Sequence, residues 1–205
     1  MASVVVDLDT QALERVSAEL AVVGISPDDR PLRGGAGRAD WRLCGDLSRL
    51  IASRRLSGAL GQAALFSADG ALRAPLLLVV GLGHRAEHSV DTWRDLGREV
   101  VRRTLDLRVN HAALGLVSDA ANLGPEGTRA LFSGALVAAA EGGAGLRLTL
   151  VGEEAPARLS ELRPLEHAEP PAGASLELPR APDRPARIPL RKPGDFTYNQ
   201  DLRFK

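Results

Sequence analysis

The chain has 205 residues, of which 44% are hydrophobic and 25% are charged, a composition typical of a folded globular protein. Its 26 basic and 26 acidic residues cancel, so net charge argues against nucleic acid or an anionic membrane as a partner. The single cysteine, Cys44, excludes an intramolecular disulfide. Lysine occurs only at Lys192 and Lys205, an Arg bias that we attribute to codon usage in a GC-rich bacterial genome.

The N-terminal sequence lacks the basic region and long apolar run of a signal peptide. No uncharged apolar stretch reaches the ~20 residues that are needed to cross a bilayer. We therefore expect a cytoplasmic protein that does not associate with membranes.

The first fifty residues predict two strands followed by a helix. Short apolar runs at Ser3–Asp7 and Glu19–Ile25 are typical of strands. From Asp40 onward apolar residues recur at helical spacing, which predicts an amphipathic helix of about three turns. Trp41 and Cys44 lie on the apolar side of this pattern, where a free cysteine usually behaves as a small buried hydrophobe.

The middle of the chain alternates between strand and helix patterns. Gly61–Phe66 and Pro75–Val80 read as a hairpin, because the intervening Asp-Gly step favours a tight turn. The later elements are a helix capped by Ser89 or Asp91, a strand at His111–Val117, a helix from Pro125 to Gly142-Gly143, a strand at Leu146–Val151 and a short helix at Ala157–Leu165. This alternation predicts an α/β fold with a mixed, mostly parallel sheet and helices on both faces.

The composition changes near residue 167, so we divide the chain into a folded domain, residues 1–167, and a C-terminal segment, residues 168–205. Proline is dense from Pro170 to Pro193, which favours an extended, polyproline-like linker. An aromatic and basic tail follows, with Phe196, Tyr198, Leu202, Arg203 and Phe204. Exposed aromatic residues promote association, so one interpretation is a segment that docks on a protein partner. In the alternatives, the tail covers a sheet edge or apolar groove of its own domain or of a neighbour.

A glycine motif, Gly81-Leu82-Gly83-His84-Arg85-Ala86, follows a predicted strand and matches G-x-G-x-x-A. In one interpretation Gly81, Gly83 and His84 form an anion or nucleotide loop, whose N–H groups face a phosphate. In the other it is a tight turn required by packing. The late helix start at Ser89 favours the second interpretation, as does the lack of a strand-ending acidic residue ~20 positions downstream.

No metal site or cofactor is predicted. His84 and His88 lie four residues apart, but neither a cysteine nor a third histidine lies close in the sequence to complete a tetrahedral set. The acidic residues occur singly or in adjacent pairs, whereas a dizinc centre needs several converging carboxylates.

Four segments in order carry a resemblance to a known family: Arg30–Gly34, Asp40–Ser48, Gly58–Phe66 and Leu76–Gly83. Their order and spacing resemble the N-terminal domain of the leucyl aminopeptidase, or cytosol aminopeptidase, family over about residues 1–153. The resemblance implies a macro-domain-like three-layer α/β sandwich.

The family resemblance also sets the functional expectation. In that family a C-terminal domain supplies Lys, Asp and Glu ligands for two metal ions and an Arg-containing loop, and none of those motifs occurs here. We therefore expect no enzymatic activity, and a stand-alone interaction or assembly module that forms an oligomer, because the family's N-terminal domain helps to organise a hexamer. The expected partner is the chain itself or a full-length aminopeptidase. The alternative is a binder of a nucleotide or ADP-ribose-type ligand at the Gly81–His84 loop, as in macro-like folds.

Overall fold

The computed structural model of this protein describes residues 2–68, 70–116, 123–166 and 173–179. Its central element is a single β-sheet. Within those residues seven strands pair in the order β3-β4-β2-β5-β6-β1-β7. The strands are β1 (Ala2–Asp9), β2 (Leu20–Ile25), β3 (Ala63–Ser67), β4 (Leu76–Gly81), β5 (His111–Leu114), β6 (Leu146–Val151) and β7 (Ala174–Glu177). Only the β3–β4 pair is antiparallel among these strands, so the predicted mixed, mostly parallel sheet is confirmed.

Helices cover both faces of the sheet, as predicted. They are α1 (Gly34–Arg42), α2 (Asp46–Ala52), α3 (Val90–Asp106), α4 (Pro125–Gly142) and α5 (Ala155–Leu162), with 3-10 turns at Leu13–Arg15, Arg85–Glu87 and Arg163–Glu166. α1 and α2 contribute to the hydrophobic cluster on one face, and α3, α4 and α5 contribute to the cluster on the other. None of the helices in the described part of the chain combines the length and apolar character that crossing a bilayer requires.

The two central strands β2 and β4 have the continuous apolar sequences expected of strands buried on both faces. All six residues of β2 are buried, and Leu77–Gly81 of β4 are buried as well. Side chains that alternate along these strands enter the two clusters in turn, which is why the apolar run is unbroken by polar residues.

Helix α3 begins where the sequence predicts. Ser89 accepts a hydrogen bond from the Thr92 N–H (3.1 Å), and Thr92 Oγ1 accepts one from the Ser89 N–H (3.3 Å). This reciprocal pair is a capping-box arrangement that satisfies two backbone donors at the helix start. The predicted N-cap at Ser89 is therefore confirmed.

Helices α3 and α4 approach each other so closely that their backbones touch at two glycines. A Cβ atom on Gly97 would lie 1.8 Å from the carbonyl oxygen of Leu131, and one on Gly134 would lie 1.8 Å from that of Arg94. Because the obstructing atoms belong to the opposite backbone, rotation of a side chain cannot relieve the overlap. The two glycines thus set the distance between these helices.

The single helix predicted from Asp40 is wrong: two short helices occupy this region. Cys44 (φ 54°) and Gly45 (φ 85°) turn the chain between α1 and α2, and Asp40 Oδ1 accepts a hydrogen bond from the Ser48 N–H (3.0 Å) at the start of α2. The turn interrupts the 3.6-residue period, so residues before and after it do not share one face. Trp41 is accordingly 76% exposed and Cys44 is also exposed, against the prediction of an apolar side.

The strand β7 is an element that the sequence analysis does not predict. Its four residues pair in parallel with Ala2–Val5 of β1, and the Ala2 N–H donates to the Gly173 carbonyl (2.8 Å). β7 lies within residues 168–205, on the C-terminal side of the division at residue 167, and that division stays a prediction. A truncation at residue 167 would therefore remove an edge strand of the sheet.

We expect Gly97→Ala to destabilise the protein by about 2 kcal/mol or more, as in an overpacked core. Helix propensity alone predicts the opposite sign, since alanine in a helix interior is favoured over glycine by about 1 kcal/mol. Urea denaturation followed by circular dichroism measures the change. Gly145→Ala is the matched control, because its Cβ would make an ordinary 3.7 Å contact with the Ser3 carbonyl oxygen. A neutral or stabilising Gly97→Ala would contradict the close helix approach.

Candidate functional site

The Gly81–His84 loop follows β4 and packs tightly against the segment before β3. A Cβ atom on Gly81 would lie 1.9 Å from the Ala59 carbonyl oxygen, so only glycine fits there without movement of the backbone. The N–H groups of Gly81, Leu82 and Gly83 donate to the carbonyls of Gln62 (2.7 Å), Ile25 (2.9 Å) and Gly58 (2.9 Å), respectively. These three donors are therefore used within the fold, which favours the interpretation as a packed turn.

A carboxylate of the chain itself occupies the next donors in this loop. Asp28 Oδ2 accepts from the Arg85 N–H (2.7 Å), and Asp28 Oδ1 contacts His84 Nδ1 (2.8 Å); Arg85 also pairs with Asp29. The Arg85 N–H, followed by His84, lowers the pKa of Asp28 below its usual range. In return the hydrogen bond to Asp28 raises the pKa of His84.

His84 and His88 have different partners and do not converge. His88 Nε2 lies 2.9 Å from the Leu82 carbonyl oxygen, and its ring meets Trp93 edge-on at 4.6 Å between centroids. Within the described ranges, no group of three or more His, Cys, Asp and Glu side chains is placed to hold a metal ion.

A second candidate site is a cleft of about 310 Å³ at the carboxyl ends of β1, β5 and β6, here called the carboxyl-edge cleft. Its lining residues come from four segments of the chain: Thr10, Gln11, Ala12, Leu13, Gly34, Gly35, Arg38, Gly115, Val151, Gly152, Glu153 and Glu154. Ligands of open α/β sheets bind at this edge, in the crevice beyond the strand ends. The Gly81–His84 loop contributes none of these residues.

The carboxyl-edge cleft combines hydrogen-bond donors with carboxylates. The start of α1 at Gly34 and Gly35 lines it, and the first N–H groups of a helix favour an anion or a hydrogen-bond acceptor. Arg38 also lines the cleft and lies 3.5 Å from Glu14 Oε1. Glu153 and Glu154 are lining residues as well; Glu154 pairs with Arg158 (3.2 Å), and carboxylates accept hydrogen bonds from hydroxyl groups. This lining suits a polar ligand that carries both acceptor groups and hydroxyls.

Sequence reasoning missed this cleft, although a signal for it exists. Gly115 and Gly152 each directly follow a strand, and Gly34 and Gly35 open a helix. Glycines at these points leave the backbone accessible where parallel strands end. Their proximity depends on the strand order, which the sequence analysis did not derive.

A third feature is an apolar groove beside the edge strand β3, here called the β3 groove, with a volume of about 190 Å³. Its lining residues are Ala63, Ala64, Leu65, Leu78, Arg103, Asp106 and Leu107. Leu65 is 46% exposed, and no other strand in the described part of the chain pairs with the outer edge of β3. The tail residues predicted to dock, Phe196, Tyr198, Leu202, Arg203 and Phe204, lie outside the described residues.

Comparison with known proteins gives a family match and a fold match. The model of the cytosol aminopeptidase family, N-terminal domain, matches residues 22–141. A protein described as a probable cytosol aminopeptidase, from Alkaliphilus oremlandii, is 24% identical over 114 residues, which cover 56% of this chain and 23% of that protein. The chain thus spans about a quarter of that relative.

Two solved structures illustrate the fold. A mutant of tomato leucine aminopeptidase superposes with a TM-score of 0.61 at 17% identity, covering 81% of this chain and 36% of that one. A Trypanosoma brucei macrodomain, solved in complex with ADP-ribose, gives a TM-score of 0.58 at 16% identity, covering 78% of this chain and 68% of that one. These similarities confirm the predicted macro-domain-like fold. Since the family model matches more than half of the chain, this protein belongs to the cytosol aminopeptidase family, through the N-terminal domain of that family.

Proposed function

We propose that this protein is a non-catalytic assembly module of the cytoplasm, which binds a second copy of itself or a full-length aminopeptidase through its C-terminal tail. The observation that carries the proposal is the outer edge of β3, with which no described strand pairs and where an exposed leucine borders the apolar β3 groove. Unpaired strand edges are templates for pairing with another chain, and exposed apolar patches mark interaction surfaces.

The sequence supports a role without chemistry of its own. The chain matches the N-terminal domain of its family, and the dizinc motifs of the family's C-terminal domain do not occur in the 205 residues. The equal numbers of acidic and basic residues favour a protein partner over a nucleic acid.

A second candidate function is the binding of a nucleotide or ADP-ribose-type ligand, and the carboxyl-edge cleft favours it. The cleft joins a helix start to two carboxylates at the edge where α/β sheets bind ligands. The Trypanosoma brucei macrodomain of similar fold was solved with ADP-ribose. We place this ligand in the cleft rather than at the Gly81–His84 loop, whose N–H groups already donate to Gln62, Ile25 and Gly58.

For the assembly function, we expect residues 1–205 to associate and residues 1–179 to lose that association. The shorter chain retains β7, so the edge of β1 stays covered. Sedimentation velocity measures self-association, and biolayer interferometry measures binding to the purified aminopeptidase of the same organism. Equal binding by both chains would move the interaction onto the folded domain, and no binding by either would refute the assembly function.

For the ligand function, we expect ADP-ribose to raise the Tm. A ligand at 100 times its Kd adds about 2.7 kcal/mol, which corresponds to roughly 5–10 °C for a domain of this size. Gln11→Trp should abolish the shift by filling the carboxyl-edge cleft, whereas His84→Ala should leave it unchanged. If His84→Ala abolished the shift and Gln11→Trp did not, the ligand would bind at the Gly81–His84 loop instead. An unchanged Tm in the unsubstituted protein would refute ligand binding.

For the packed turn, we expect Asp28→Asn to lower the pKa of His84. The His84 pKa is raised mainly by its hydrogen bond to Asp28. The pair therefore stabilises the folded protein while His84 is protonated. This contribution is fully present below the ordinary histidine pKa and is lost as the pH rises through the raised pKa of His84. NMR titration of the His84 ring measures the change. The His88 ring is the internal control, and an unchanged His84 pKa would contradict the contact.

A further inference from the structure

We propose that the segment Phe196–Phe204 of one chain adds to β3 of a second copy as an eighth strand, with an aromatic side chain in the β3 groove. This inference rests on the proposed assembly function, and it names both the acceptor surface and the partner.

The acceptor is the outer edge of β3, whose register directs alternate backbone groups away from β4. The Gly81 N–H donates to the Gln62 carbonyl (2.7 Å), and the Ala68 N–H donates to the Pro75 carbonyl (2.9 Å). Hydrogen-bonded pairs alternate along an antiparallel ladder, so even-numbered residues of β3 face β4. Ala63 and Leu65 therefore direct their N–H and C=O groups away from β4, toward the edge where an added strand would pair.

The β3 groove lies on one face of that edge and suits an apolar side chain. Ala63 and Leu65 line it from β3, Leu78 lines it from β4, and Leu107 lines it from the position directly after α3. Its volume of about 190 Å³ is comparable to that of one aromatic residue. A strand added beside Leu65 would cover a leucine that is now 46% exposed.

The donor segment has the alternation that an added strand needs. Phe196 and Tyr198 are two residues apart, and so are Leu202 and Phe204. Since successive side chains of a strand point to opposite faces, each pair would present both of its apolar groups to one face. Phenylalanine, tyrosine and threonine also favour strands, and Thr197 lies between the first pair.

The spacer between β7 and the aromatic segment is long enough to reach a second copy. β7 and β3 are at opposite ends of the strand order, six strand spacings or ~29 Å apart. Residues 180–195 contain Pro182, Pro185, Pro189 and Pro193. Such proline density favours a semi-rigid extended spacer of about 50 Å, which is long enough to carry the aromatic segment to a neighbour.

The test uses the full chain and a single fluorine label. Tyr198 is the only tyrosine, so 3-fluorotyrosine gives one ¹⁹F resonance that reports on the tail. We expect this resonance to move, as protein concentration rises, from the position of the free peptide 195–205 to a broadened bound position, in parallel with dimers or larger species in sedimentation velocity.

Three variants separate the proposed contact from general effects. Leu65→Lys should hold the resonance at the free-peptide position and remove self-association, because it places a charge in the β3 groove. Leu60→Lys is the matched control, since Leu60 is 52% exposed and does not line the groove; it should behave as the unsubstituted chain. The double substitution Leu202→Ser and Phe204→Ser should also remove self-association while leaving the Tm unchanged.

Each other outcome overturns the inference. A resonance that stays at the free position at every concentration would refute docking, and a bound position independent of concentration would place the segment on its own chain. Retention of the bound position in Leu65→Lys would exclude β3 as the acceptor. If the chain does not self-associate but binds the aminopeptidase through its tail, the assembly function stands and this inference fails; if neither occurs, both fail.

Discussion

The burial of β2 and β4 on both faces is the constraint on which the rest of the structure depends. Two strands that are apolar along their whole length must be covered by helices above and below, because exposure of either face would leave leucines and valines in water. Parallel strands joined through such helices bring their carboxyl ends to one edge. The Gly81–His84 loop and the carboxyl-edge cleft both lie at that edge for this reason.

The elements with a strong local pattern could be predicted from sequence. The strands β2 and β4 are recognisable by their unbroken apolar runs, α3 by the cap at Ser89, and α4 by proline and glycine at its two ends. The failures have tertiary causes. The turn at Cys44 is accompanied by a contact between Asp40 and Ser48, and β7 is a four-residue strand defined by pairing with β1 rather than by a pattern of its own.

The candidate sites were harder to predict because they combine distant segments. The glycine motif at Gly81 was visible in the sequence, but the groups that decide its role, Ala59 and Asp28, come from other loops. Asp28 brings a negative charge to the Arg85 N–H and to His84. The same short motif can therefore serve a packed turn in one protein and an anion site in another, and only the neighbouring backbone distinguishes them.

The position of β1 in the sheet has a consequence for the synthesis of the chain. Among the described strands, β1 leaves the ribosome first, whereas its two neighbours in the sheet, β6 and β7, are made last. Val4 and Val6 are fully buried in the folded sheet. Their pairing residues on β6 are synthesised more than a hundred residues later. In the half of the sheet that contains β2, β3 and β4, the paired residues are separated by fewer positions. Since folding rates fall as the sequence separation of contacts grows, we expect that half to form sooner. The pairing of β1 is thus completed only after β6 has been made, and until then its apolar side chains are exposed to aggregation.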